Sequence, residues 1–280
     1  MEVWVAWGYV LTTLVYLASC GFHALALVGP GDERPARWLA RAGWAVHSLV
    51  LAADLAHGRM PFLSTTGSVF FVAWAWVLIC LLLEHLLDMR ALGAFVLPPV
   101  VLLLVLGAAQ EAGAGGGAGG TGLQVRAADP ALDPWVALHA LVALLSYVAF
   151  GLASVLALMY LLLERQLRDK VFTQLYRRLP ALDVMDRLSC MLTGGGLVLL
   201  TLALLSGSLP AGSLWGHGWA TDGKVVGSVA VWTLYALHVT MRGVAGWRGR
   251  RLAYLSLLGF IAILVNYLMV GTYWPTRHFF

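Results

Sequence analysis

The chain has 280 residues, 60% of them hydrophobic and 11% charged, with a formal net charge of +4. A soluble domain carries roughly 25% charged residues, so a water-soluble protein is excluded and the core must be built against lipid. The small positive charge is no nucleic-acid signal, because its distribution matters more than its sum.

Eight apolar stretches follow in chain order, each close to the ~20 residues a helix needs to cross the hydrocarbon. They cover 3–28, 36–56, 67–87, 91–109, 135–163, 187–208, 224–241 and 252–273. The predicted fold is therefore an all-α integral membrane bundle of about eight transmembrane helices. The first stretch has no basic leading segment and no small-residue cleavage pattern, so no cleavable signal peptide is expected. Pro98 and Pro99 interrupt the fourth. Membrane helices tolerate proline where neighbours satisfy the freed carbonyls.

Residues 111–134 hold a Gly/Ala run and read as a flexible outer linker. It divides a front half, 1–110, from a back half, 135–280. The basic stretch 164–180 is predicted to continue the fifth helix past the membrane, beside anionic lipid, until Pro180 breaks it. Asp183-Val184-Met185-Asp186 is predicted to start the sixth helix, since acidic residues favour the N-terminal end. Residues 246–251, Gly-Trp-Arg-Gly-Arg-Arg, read as a tight turn before the last stretch.

Charge sets the expected topology. Arg34, Arg37, Arg41, Arg90, Arg165, Arg168, Lys170, Arg177, Arg178, Arg187, Arg242, Arg248, Arg250 and Arg251 share one set of alternating ends. Only Arg59, Arg126, Lys224 and Arg277 share the other. The positive-inside rule then places both termini outside. Cys20, Cys80 and Cys190 lie in or beside apolar stretches without Cys-x-x-Cys spacing, so neither a disulfide nor a zinc site is expected.

One outer loop is unusual. Trp215-Gly216-His217-Gly218-Trp219-Ala220-Thr221-Asp222 packs two indoles, an imidazole and a carboxylate into eight residues. Paired indoles at a membrane edge suit a flat apolar ligand with polar ends, such as a porphyrin; an interfacial aromatic belt is the plainer reading. The histidines fall into two tiers: His57, His139, His217 and His278 near the outer face, and His23, His47, His85 and His238 towards the inner one. Two neutral imidazoles can saturate a haem iron, so His139 and His278 are expected to approach one another beneath Trp215 and Trp219. Each histidine could equally hydrogen-bond a neighbouring helix. Asp222 could orient the loop, contact a polar edge of the ligand, or cap the helix that follows. Asp54, Glu84 and Asn266 are the conspicuous polar residues in or near the stretches, and their spacing makes no proton relay evident. Glu84 and His85 are expected to meet water or headgroups. Asn266 is expected to hydrogen-bond another helix.

These segments resemble the cytochrome c assembly family, whose members include CcsA, CcmC and the HemX/YpjD-type proteins. The resemblance is nearest to the short HemX/YpjD-like or CcsA-like branch. It rests on Leu179-Pro180-Ala181-Leu182-Asp183, Asp186-Arg187-Leu188-Ser189, the Trp loop, Trp232-Thr233-Leu234-Tyr235-Ala236 and the turn at 246–251. In the front half, Met60-Pro61-Phe62 and Phe70-Phe71-Val72-Ala73-Trp74 add to it. Trp215, Gly216, Trp219 and Asp222 stand where the family's haem-contacting loop stands, and His139 and His278 match its two outer histidines. The loop departs from the family pattern at Thr221, Gly223 and Val225. The family's inner histidine on the seventh helix would align near Thr240, two positions from His238; two residues turn a helix by roughly 200°.

The resemblance implies non-covalent b-type haem held by His139 and His278 in a bacterial inner membrane. It further implies an apocytochrome c or a CcsB-like membrane protein as partner. Two alternatives stay open: a non-haem scaffold or accessory subunit with a degenerate loop, or one component of a cytochrome c haem lyase. No catalytic residue is assigned.

Overall fold

The computed structural model describes residues 3–29, 32–58, 60–63, 65–114, 134–215 and 219–267. Those residues form helices and turns with no strand among them. The helices are α1 (Val3–Val28), α2 (Arg34–Ala56), α3 (Thr65–Leu87), α4 (Leu92–Ala114), α5 (Pro134–Asp169), α6 (Gln174–Arg178), α7 (Leu182–Trp215), α8 (Gly223–Gly243) and α9 (Arg250–Val265). Short 3₁₀ turns lie at Pro61–Leu63 and Trp219–Thr221.

Six of these, α1, α3, α4, α5, α7 and α8, are long and apolar enough to cross a membrane. The integral membrane fold expected from composition is thus present. α2 spans 23 residues but carries Arg34, Arg37, Arg41 and Asp54, and α9 is described over 16 residues. α4 runs unbroken through Pro98 and Pro99, and Pro98 lies on its exposed side.

One helix end differs from expectation. α5 stops at Asp169 rather than reaching Pro180. Lys170 takes a left-handed φ of 54°. Its N–H returns to the Leu167 carbonyl, and that of Val171 to the Gln166 carbonyl. That pair of bonds satisfies the last carbonyls and closes a helix without proline. α7 does begin at the acidic segment, with Asp183 in its first turn.

The chain forms two compact units: Met1–Ala131 with Gln166–Pro180, and Leu132–Arg165 with Ala181–Phe280. In the first, α1 and α2 pack antiparallel. The Ser19 hydroxyl donates to the Ala36 carbonyl at 2.7 Å, and Tyr9 meets Asp54 near the opposite end. Tyr16, Trp76, Leu92, Leu97 and Leu104 are fully buried. Asp88, at a φ of 52°, ends α3 and receives two hydrogen bonds from Arg90 at 2.8 and 2.9 Å. Those bonds hold its carboxyl below the usual aspartate range.

In the second unit, Phe150 of α5 stacks on Tyr235 of α8, with ring centroids 3.6 Å apart and planes 6° from parallel. Leu200, Val231 and Ile263 complete that core. The Trp232 indole donates to Thr201 at 2.8 Å, fixing α8 against α7. At the basic end, Asp186 accepts from Arg242 at 2.8 Å and from the Gly249 N–H at 3.1 Å. One carboxylate therefore ties α7 to α8 and to the turn before α9. Gly249 has a φ of +63°, and a side chain there would meet the Tyr160 hydroxyl.

Candidate functional site

His139 lies in the second turn of α5, half-buried, with its imidazole against α7. Its Nδ1 stands 2.7 Å from the Ala203 carbonyl oxygen. A carbonyl can only accept, so Nδ1 carries the proton. In a neutral imidazole the lone pair then sits on Nε2. That is the arrangement metal-ligating histidines adopt, with one nitrogen anchored to protein and the other offered to the metal. Gly207, one turn beyond Ala203, makes room for the ring: a Cβ there would stand 2.6 Å from His139 Cε1. The residues present fit an axial ligand of a haem iron.

The loop between α7 and α8 begins as α7 ends at Trp215. Trp219 opens the 3₁₀ turn that leads into α8. Asp222 is 6% exposed and is the N-cap of α8, its Oδ1 accepting from the Lys224 N–H at 2.9 Å. The capping role read from sequence is therefore present. It pins the trailing end of the loop to a helix terminus. Gly216 and His278 lie outside the described residues, so the expected meeting of His139 with His278 does too.

A polar group lies in the interior of the same unit. Asn266 is 5% exposed and donates through Nδ2 to Ser228 Oγ at 3.2 Å, where α9 widens into a π turn. Tyr147 of α5 lies close to both Ser228 and Asn266. The helix–helix role expected of Asn266 is thus found. The sequence did not single out Tyr147, Ser228, Gly207 or Ala203. A backbone carbonyl carries no side-chain signal, and serine and tyrosine are common in membrane helices.

The inner-tier residues separate by burial. His23, His47 and His238 are 2%, 0% and 2% exposed, whereas His85 is exposed. His238 lines a small pocket with Tyr160, Met185, Asp186 and Arg242. Glu84 departs from expectation. Rather than meeting water, it is buried and accepts from the Gly93 N–H at 3.2 Å. The chain turns back into α4 directly over it, which a reading of α3 alone does not reveal. Among the described residues no group of three His, Cys, Asp or Glu could hold a metal ion. Cys20, Cys80 and Cys190 are free thiols.

A family model described as "Cytochrome C assembly protein" matches residues 62–278. Among curated relatives, the cytochrome c biogenesis protein CcsA of Guillardia theta is 29% identical over 76% of this chain and 74% of its own length. CcsA of Microcystis aeruginosa is 26% identical over 93% of this chain and 90% of its own. CcsA of Prochlorococcus marinus is 30% identical over 81% and 79%.

Proposed function

This chain belongs to the cytochrome c assembly family, and from that premise we propose that it handles haem for cytochrome c assembly. In this reading non-covalent haem is held at the outer face of the membrane between His139 and His278. Trp215, Gly216 and Trp219 form the platform, and Asp222 holds the platform in place. The carrying observation is the anchored imidazole: Nδ1 of His139 bonded to the Ala203 carbonyl, with Nε2 left to ligate. The positive-inside distribution supports the outer placement with both termini outside; the membrane in this reading is a bacterial inner membrane. With both imidazoles engaged, His139 and His278 would hold haem for storage and presentation and would leave no position for oxygen chemistry.

The acceptor would be an apocytochrome c, presented by a CcsB-like membrane partner. Thioether formation would make that assembly a haem lyase, with this chain as its haem-holding component. A scaffold without haem is the second reading, favoured by Thr221, Gly223 and Val225 where the family's loop carries other residues. An absorption spectrum of the detergent-purified protein, reduced and oxidised, decides between them. The haem reading expects a Soret band and sharp reduced bands of a low-spin, bis-imidazole iron. No Soret band after expression with ample haem, and none on titration, replaces it with the scaffold.

A further inference from the structure

We propose that the first unit carries a proton relay, running from an arginine-lined cleft at its basic end to Asp54 at the opposite end. The relay is independent of haem. It rests on a buried stripe of titratable side chains for which the haem reading has no use.

The stripe follows from spacing once α1 and α2 are seen to pack antiparallel. On α1, Tyr9, Tyr16 and His23 recur every seven residues, and on α2 His47 and Asp54 do the same. Seven residues are close to two helical turns, and the drift is only ~20° per step. Each set therefore lies along one side of its helix. From Tyr9 to His23 the helix rises about 21 Å, most of the ~30 Å hydrocarbon. All five are 9% exposed or less, while Leu11, Leu14 and Leu25 of α1 face outward.

Contacts join the two sets. Tyr9 donates its hydroxyl proton to Asp54 Oδ2 at 3.0 Å. The rings of Tyr9 and Tyr16 stand edge-on to His47, with centroids at 5.9 and 6.0 Å. α3 continues the line towards the basic end with Cys80, whose Sγ lies 4.0 Å from Glu84 Oε1. His23 Nε2 and Glu84 Oε1 both lie within 3.0 Å of where a Gly93 Cβ would stand. Glu33 and Arg37, with Arg178, line a cleft of about 970 Å³ open at that end. Asp88, four residues beyond Glu84 where α3 ends, lines the same opening. Glu33 is ion-paired to Arg178 there.

Packing alone does not account for this set. The Tyr16 hydroxyl, both ring nitrogens of His47 and Nε2 of His23 are buried with no protein hydrogen-bond partner. Buried polar atoms are costly unless satisfied, and apolar side chains would fill the same space without that cost. Ionisable residues inside a membrane point by default to a functional site, and proton relays are among the roles they mark. The burial of every member leaves no passage for a hydrated cation, so a hopping proton is the carrier the stripe suits.

Each step is proton transfer alone, with nothing oxidised or reduced. Glu84 takes a proton from the cleft and passes it to the Cys80 thiol, 4.0 Å away, which gives up its own through the Tyr16 hydroxyl to one nitrogen of His47. His47 releases a proton from its other nitrogen to the Tyr9 hydroxyl, which passes its own to Asp54. One proton enters at the cleft and one leaves at Asp54, driven by the gradient across the membrane. The His47 and Tyr16 rings must turn between transfers, because neither holds a standing hydrogen bond to the other. The path is therefore slow and not an open pore.

The full chain, purified and sealed into vesicles loaded with pyranine, provides the test. A valinomycin-clamped potassium gradient supplies the driving potential. The relay expects proton entry above protein-free vesicles, reduced to their level by H47L and slowed by E84Q and D54N. H85Q, at an exposed position, should conduct as the parent does. Should H47L fail to purify as a single species, H47Q keeps polarity and nearly the volume without a ring nitrogen to carry a proton, and should give the same loss. Entry no faster than in protein-free vesicles overturns the proposal. So does parent-like entry in either His47 variant, or equal flux carried by sodium at constant pH.

Discussion

The 2.7 Å bond from Nδ1 of His139 to the carbonyl of Ala203 crosses between α5 and α7, joining residues 64 apart in the chain. It sets the tautomer of the histidine and aims its second nitrogen. The carbonyl belongs to the α7 backbone, so no substitution at Ala203 removes it. The position of the ring is open to test through its neighbours.

Removing the imidazole with H139A should abolish the low-spin haem spectrum or open a coordination position. G207A tests the cradle. Its new Cβ would fall 2.6 Å from His139 Cε1, so the ring must shift off the Ala203 carbonyl. Retained haem per mole of protein should fall, with the remaining fraction showing a weaker axial ligand field. H238A should change the spectrum much less. Unchanged Soret intensity in H139A would move the ligands elsewhere.

Asp222 caps α8 through the Lys224 N–H. D222A should cost about 1 kcal/mol, as cap removals commonly do, and D222N should recover most of it. If the cap also holds the Trp loop, D222A should lose haem faster on dilution while the spectrum of the bound fraction stays the same. A changed ligand field in D222A would mean that the residue does more than position the loop.

The Asp186 tie should outweigh its exposed neighbour. Asp186 serves two donors and is largely covered, whereas the Arg187–Asp183 pair is i,i+4 and its side chains are 70% and 76% exposed. D186A leaves Arg242 and the Gly249 N–H without their acceptor and should cost about 2 kcal/mol. D183A should cost ~0.3–0.5 kcal/mol, the range for helix surface pairs. Detergent-phase thermal unfolding of the two variants measures the difference, and equal shifts would refute it.

Topology is tested by single cysteines in a background lacking Cys20, Cys80 and Cys190. His57 and Arg250 are both exposed, and the charge rule places them on opposite sides. A membrane-impermeant maleimide applied to intact cells should label H57C and spare R250C. Labelling of both from one side would reject the assigned orientation.

Composition alone established that this is a helical membrane protein. Hydrocarbon leaves no other means of satisfying the backbone than helices or closed barrels, and long unalternating apolar stretches select the helix. Local chemistry was equally legible where partners lie within one turn. Asp222 caps α8 as its place before Gly223 and Lys224 implied, and the acidic segment at Asp183 opens α7. The end of α5 was not legible, because it depends on Lys170 taking a left-handed conformation that lysine does not advertise. Periodicity says which side of its own helix a residue occupies, but not which helix stands opposite. For that reason the Ala203 carbonyl behind His139, the covering of Glu84 by Gly93 and the alignment of Tyr9, Tyr16 and His47 emerged only once the helices were packed. Each joins residues distant in the chain, and only tertiary contact decides such pairs.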